Sequence, residues 1–245
     1  MPPKNNQPIV PRGSQDNLIQ LWHQTKDWER KEGFLYYDRQ RERLTLLAKE
    51  YKMQTAAVIA AFCALSPNNA ESTNYTALQT CLDILAGRLP ETARVIAYTV
   101  NKNKALAILR GAKIEEVLRG RKVYSFFRNT IDPDDGRFIT VDGHMLSAWC
   151  NRRFILRREA EISKIEYYLI CEHFRATAQC LKIPAPRLQS TLWMAWKRVN
   201  KILYNPQMSL PLEDDMSLPL NGSHAKDGLY IAKGTSYTPA EKRTA

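Results

Sequence analysis

Apolar residues recur at three- and four-residue steps along most of the chain, and alternating strand-like patterns are few, which predicts an all-α class. Leu18, Leu21 and Trp22, then Leu44, Leu47 and Tyr51, predict helical structure from residue 17 to about 51, with Gly33 as the separator of two helices. Thr55 reads as the N-cap of an apolar helix over 56–65 that Pro67 ends. A further helix is expected over 72–86, closed by Gly87. Short helical pieces over 103–109 and 115–118 are broken by Gly111 and Gly120, and another helix is predicted over 121–129. The turn Asp132-Pro133-Asp134-Asp135-Gly136 leads through an extended stretch, 138–141, into a helix beginning near His144. Two later stripes complete the pattern: Ile162, Ile165, Leu169 and Phe174, then Leu188, Leu192, Trp196, Val199 and Leu203. Pro186 suits the first turn of the last helix.

The ends of the chain depart from this pattern. Residues 1–14 hold four prolines and little apolar material, which predicts a flexible lead-in. From 205 to 245 the composition turns to Pro, Ser, Gly and polar residues, as expected of a disordered tail. No apolar run is long enough to predict a membrane span, and residues 1–7 lack the apolar core of a secretory signal. The five cysteines are scattered and form no CxxC pair. They predict reduced thiols in a cytoplasm, neither a disulfide framework nor a zinc knuckle.

Charge narrows the partner. The net charge is +11. Residues 100–128 hold eight Lys/Arg against two Glu, and residues 149–201 eleven against four, whereas the tail is near neutral. A basic folded part attracts polyanions by counterion release. Nucleic acid is therefore the expected partner, with a basic solubilising surface as the alternative.

Three segments carry more specific information. The first is Leu65-Ser66-Pro67-Asn68-Asn69-Ala70-Glu71, followed by Asn74. The second is Asn103-Lys104-Ala105 with Ile108 and Leu109. The third is Leu118-Arg119-Gly120-Arg121-Lys122, followed by Val141-Asp142-Gly143-His144. In this order they resemble the helix–hairpin–helix DNA glycosylase superfamily: its "LSAQATD…N" segment, its "N-x-KA-x-x-I", the end of its "LPGVGRK" hairpin, and its "VDTH". The resemblance covers about residues 55–150. It implies a two-lobed helical fold, with 55–148 as one lobe and 15–52 packed on 149–204 as the other. The hairpin is shorter than the family's, with Gly120 alone where the family has two glycines. The four-cysteine iron–sulfur loop of some members is absent, so no cofactor and no metal are expected. Short-hairpin variants of this kind resemble phage and prokaryotic glycosylase-like proteins, which implies the cytoplasm of a bacterium or of a phage-infected host.

By this resemblance Asp142 is the carboxylate that stabilises the cationic sugar after a base has been flipped out. The other reading of Asp142 is an N-cap, and the two roles are compatible. Lys122 stands at the position of a lysine that attacks C1′ and gives a Schiff base with strand nicking; its other reading is a phosphate contact. Arg119, Gly120 and Arg121 would meet the DNA backbone at the hairpin, with Lys104 nearby. Asn68 and Asn69 either fill the gap left by the flipped base or form a turn after Pro67. Trp193, which lies off the 188/192/196 stripe, either stacks on a base or packs internally. His144 is expected to be structural. Three functions follow: a base-excising glycosylase, a glycosylase-fold enzyme that builds modified thymines in phage DNA, and a DNA-binding protein that keeps only the scaffold.

In the tail, Gln207, Met208, Leu210 and Leu212 resemble the peptide by which proteins dock into bacterial sliding clamps. Leu218 and Leu220 repeat its core without the Gln. The alternative is coincidence in a biased segment.

Overall fold

From Val58 to Leu65 every residue is buried, because the helix that carries them, α3 (Thr55–Leu65), is apolar on all sides. A helix of this kind needs neighbours all round. The computed structural model, which describes residues 12–154 and 161–202, supplies them from α2 (Asp27–Glu50), α4 (Glu71–Leu85), α5 (Thr99–Leu109) and α7 (Arg121–Ile131). The other elements are α1 (Gln15–His23), α6 (Ile114–Val117), α8 (Gly143–Trp149), α9 (Lys164–Leu181) and α10 (Ala185–Val199). Among the described residues there is no β-strand, and the class is all-α. No helix among them is long and apolar enough to cross a membrane.

The buried apolar residues fall into two clusters. One gathers Leu44 and Ala48 with α3 to α7, and the other gathers Leu18 and Leu21 with Ile139, Val141 and the inner faces of α8, α9 and α10. The division differs from the expected one in two places. The C-terminal half of α2 joins the first cluster, and residues 139–148 join the second. Helix α2 has 24 residues, about 36 Å at 1.5 Å each, and its C-terminal half reaches the first cluster.

Gly33 is not a separator. The helix break lies at 24–26, where Lys26 N–H donates to the Glu29 carboxylate at 2.8 Å and starts α2. Gly33 sits within α2 and faces α10 instead. A Cβ built there would lie 2.4 Å from Thr191 Cα, and Ser190 Oγ donates to Gly33 O at 2.6 Å. Only a residue without a side chain lets the two helices approach this closely. Gly33→Ala would gain helix propensity of about 1 kcal/mol, yet the clash is with backbone and cannot be relieved by a rotamer. A net loss of about 2 kcal/mol is expected, measured as a lower midpoint in urea. An unchanged or raised midpoint would show that α2 and α10 can separate freely.

Other expectations shift more modestly. Residues 12–14 are tied down: Ser14 caps α1, its N–H reaches Trp149 O at 3.2 Å, and Arg12 pairs with Glu166. Helix α3 starts at Thr55 itself, and α5 starts at Thr99, four residues before the expected 103. The stripe proposed for α9 does not form. Ile165 and Phe174 are nine residues apart, about two and a half turns, so they cannot share a face. Tyr167, Ile170, Cys171, Phe174 and Ala178 point inward, and Ile165 is exposed. In α10, Leu188, Leu192 and Trp196 are buried but Val199 is exposed. Leu203 and the tail, with Gln207, Met208, Leu210, Leu212, Leu218 and Leu220, lie outside the described residues.

Candidate functional site

The approach to Asp142 is held on both sides. The buried Asn129 amide, oriented so that both its atoms are satisfied, donates to Phe138 O at 2.8 Å and accepts from the Thr140 N–H at 3.2 Å. The Tyr167 hydroxyl donates to Ile139 O at 2.8 Å and receives the Val141 N–H at 3.5 Å. Ile139 and Val141 anchor the same stretch in the second apolar cluster. Residues 138–141 thus belong to neither helix nor strand, and the Asn129 and Tyr167 side chains satisfy backbone groups there.

Asp142 then caps α8, its Oδ1 accepting the Met145 N–H at 2.9 Å. The capping role is a structural fact, and it fixes the carboxylate. Three titratable side chains feel its charge: Tyr37 of α2, His144 of α8 and Lys197 of α10. Burial pushes the Tyr37 phenol far up, so it stays neutral. Its hydroxyl donates to Gln189 Oε1. Burial lowers the His144 imidazole; Asp142 opposes the shift, while Lys197, Lys122 and Arg153 add to it. His144 therefore favours the neutral form.

Lys197 and Glu71 complete the constellation. The Lys197 ammonium lies 3.9 Å from the centre of the Trp193 ring, which stands 5.9 Å from the Tyr36 ring. Burial lowers the Lys197 amine, with Asp142 and Glu71 opposing. Glu71, the first residue of α4, accepts from Gln40 Nε2 at 2.6 Å, and Tyr75 OH donates to Gln40 Oε1 at 2.6 Å. Burial raises the Glu71 carboxyl against the contrary pull of Gln40, Arg43, Lys197 and Tyr36. The charges of Asp142 and Glu71 thus both act on the Lys197 amine, which stands beside the aromatic surface of Trp193 and Tyr36.

The raised Glu71 carboxyl has a consequence for stability. A group whose folded value lies above its unfolded one stabilises the fold below the unfolded value, and that contribution is lost as pH rises through the folded value. Glu71→Gln keeps the acceptor for Gln40 and removes the ionisation. The variant is expected to be more stable than the parent at pH 7, with the difference disappearing as pH falls below about 4.5, the ordinary Glu value. Urea unfolding of both proteins at the two pH values checks this. A parent more stable than the variant at pH 7 would mean that the carboxylate is a net asset there.

The basic segment 118–122 meets those residues electrostatically, through the action of Lys122 on His144. Helices α6 and α7 are joined by Leu118-Arg119-Gly120, with Leu118 buried. Gly120 begins α7 without offering a side-chain cap, and no atom lies within 4 Å of where its Cβ would be. The Gly120 face at the start of α7 is accordingly uncovered. Arg119 and Arg121 are exposed there. Arg119 Nε is steadied on Glu116 O at 2.8 Å, and the Arg121 guanidinium lies 5.5 Å from the centre of the Tyr168 ring. Lys122 follows in the first turn, half-buried, and acts electrostatically on His144.

The remaining sequence candidates divide. Asn68 is exposed with φ of 63°, a left-handed turn conformation that Asn tolerates. The Asn69 side-chain nitrogen donates to Leu65 O and Ile96 O, each at 3.1 Å, so this residue braces the turn. Lys104 is exposed on α5, and Trp193 is half-buried beside Lys197. Glu71, Lys197, Gln40 and Tyr36 are the residues that sequence reasoning missed. Lys197 had one visible signal, its i+4 spacing from Trp193 on a helix. Two surface depressions, beside Arg175 and Gln179 and beside Arg12 and Glu166, lie outside this constellation. Among the described residues no group of three or more His, Cys, Asp or Glu is arranged to hold a metal ion.

A family model matches residues 1–200, which include every site residue named above but not the tail. The chain belongs to DUF7178, a family of unknown function. No curated protein and no solved structure matches this DUF7178 chain.

Proposed function

We propose that this DUF7178 protein is a DNA-base-processing enzyme that works in the manner of the helix–hairpin–helix glycosylases. The observation that carries the reading is the placement of Asp142. It is fixed at the head of α8 by the grip on residues 138–141, and its carboxylate and the Lys122 ammonium both bear on His144. The two apolar clusters, joined by α2 and α10, support a two-lobed arrangement of the glycosylase kind. A flipped nucleotide enters between the hairpin and the head of α8, and Asp142 stabilises the positive charge that grows on the sugar as the C1′–N bond lengthens. The protein acts in the cytoplasm of a bacterium or of a phage-infected host. The 205–245 segment tethers it to a sliding clamp through Gln207, Met208, Leu210 and Leu212.

The test is incubation with duplexes carrying a panel of damaged and modified bases, followed by mass spectrometry of the products. Release of a free base supports excision. Conversion at the 5-substituent of a thymine derivative without release moves the reading to base modification, and no product with any duplex leaves a DNA-binding scaffold alone.

The hairpin makes a separate prediction. Each phosphate contact removed should flatten the slope of log K against log salt by about one unit, equally for all sequences. Arg119→Ala and Arg121→Ala are both expected to do so in fluorescence titrations across a salt series. A slope unchanged in both variants would put the DNA on another face.

A further inference from the structure

Tyr167 and Tyr168 are consecutive on α9 but meet opposite surroundings. Tyr167 is buried and its hydroxyl donates to Ile139 O at 2.8 Å, whereas Tyr168 is 53% exposed. Ile165, one turn earlier on the same outer face of α9, is 59% exposed. The Arg121 guanidinium, from the head of α7, lies 5.5 Å from the centre of the Tyr168 ring and 6.0 Å from that of Tyr167. It ties the outer ring to the basic segment 118–122. The two carboxylates of α9 are already matched, Glu166 by Arg12 and Glu172 by Arg175, while Lys164 and Arg121 stand exposed beside the face. An open aromatic ring next to exposed cations offers both parts of a nucleotide contact, a platform for a base and a charge for its phosphate.

We infer that the outer face of α9 binds an unpaired nucleotide of DNA, whose base stacks on Tyr168 beside Ile165 while Arg121 meets its phosphate. A base inside a duplex is already stacked on both sides and has no face to give to a side chain. The surface therefore selects DNA in which a single strand adjoins a duplex, as at a gap or a fork. The inference rests on the DNA-processing reading and extends it. The flipped base of that reading enters between the hairpin and the head of α8, and this face takes a second nucleotide on the outside.

The test compares three DNAs in fluorescence titrations of the full-length protein at equal salt. One is a short blunt duplex, one carries a single-stranded deoxyadenosine tail, and one carries an abasic tail that keeps the phosphates without the bases. Tails are placed on the 3′ end in one set and on the 5′ end in another. The parent is expected to bind at least one deoxyadenosine-tailed duplex about tenfold more tightly than the blunt one, the scale of one base stacked on an aromatic ring. The abasic tail should give little of this gain. Tyr168→Ala should bring the ratio of tailed to blunt affinity to about one, and Tyr168→Phe, which keeps the ring, should retain it. The ratio is internal to each variant, so a change in overall affinity does not enter it. No gain from any tail, an equal gain from the abasic tail, or an unchanged ratio in Tyr168→Ala would overturn the assignment, with blunt-duplex binding leaving the DNA reading in place. Failure to bind any of the DNAs sinks both.

Discussion

Asp142→Asn is expected to abolish base processing while leaving both the fold and DNA affinity nearly unchanged. The structure makes this a cleaner test than the sequence alone would, because Asp142 has two roles that the substitution separates. Its Oδ1 accepts the Met145 N–H at 2.9 Å as the N-cap of α8, and Asn caps about as well as Asp. The amide therefore keeps α8 and loses only the negative charge. Removing one preorganised electrostatic partner of a charged transition state commonly lowers the rate by about 10² to 10³. Asp142→Ala should show the same rate loss plus a destabilisation of about 1 kcal/mol from the missing cap. Rates measured with the substrate found in the base panel, together with thermal melts, separate the two effects. Full activity in Asp142→Asn would remove the carboxylate from the chemistry and leave it a cap.

The largest effect on stability is expected at Arg187, which plays no part in the proposed chemistry. Arg187 is only 7% exposed. It grips Asp134 through Nε at 2.6 Å and Nη2 at 3.1 Å, donates to Phe34 O at 2.6 Å, pairs with Asp38, and stacks 4.4 Å from the centre of the Phe34 ring. One side chain thereby ties α10 to α2 and to the 132–136 turn. Arg187→Met keeps most of the volume but removes the partner of Asp134 and of the Phe34 carbonyl, and leaves Asp38 with Arg41 alone. Breaking a fully buried pair costs about 3–5 kcal/mol. With the Asp134 side chain 60% exposed, a loss of about 2–3 kcal/mol is expected here. The Arg187 hydrogen bonds hold the Asp134 carboxyl below its ordinary value of 3.8. Its contribution is therefore present above that value and is lost as pH falls through the lower folded one. The gap between parent and variant should narrow in acid below about pH 3.8. A variant within 0.5 kcal/mol of the parent at pH 7, in roughly the range of a neutral surface change, would show that the 132–136 turn is held by other contacts.

How far the sequence could be read depended on whether a residue's partners were local. Helices α3, α4 and α7 were legible because their punctuation is local: Pro67, Gly87 with its φ of 71°, and Gly120 at the head of α7. Gly33 was misread because a glycine inside a helix looks the same whether it breaks the helix or admits a neighbour. The neighbour, Thr191, is 158 positions away. The α9 stripe failed for another reason: apolar residues on both faces of the helix allowed a row to be drawn that no single face contains. The cap that Asp142 makes is local and could be read from the sequence, whereas the surroundings of Glu71 and Lys197 depend on Gln40 and Trp193 and on charges from other helices. Nothing in the spacing of Glu71 announces that burial.

The course of α2 has a consequence for how the molecule comes apart. Its C-terminal half supplies Leu44 and Ala48 to one apolar cluster, and its N-terminal half lies against α10, whose Leu188 and Leu192 belong to the other. Loss of either cluster would strip half of a continuous helix and expose its backbone amides. The two clusters are therefore coupled into one cooperative unit, and local openings of high free energy in residues 27–50 should approach the global one. Ile139 and Val141, which lead to Asp142, belong to that unit, so the placement of its carboxylate at the head of α8 is as durable as the fold itself.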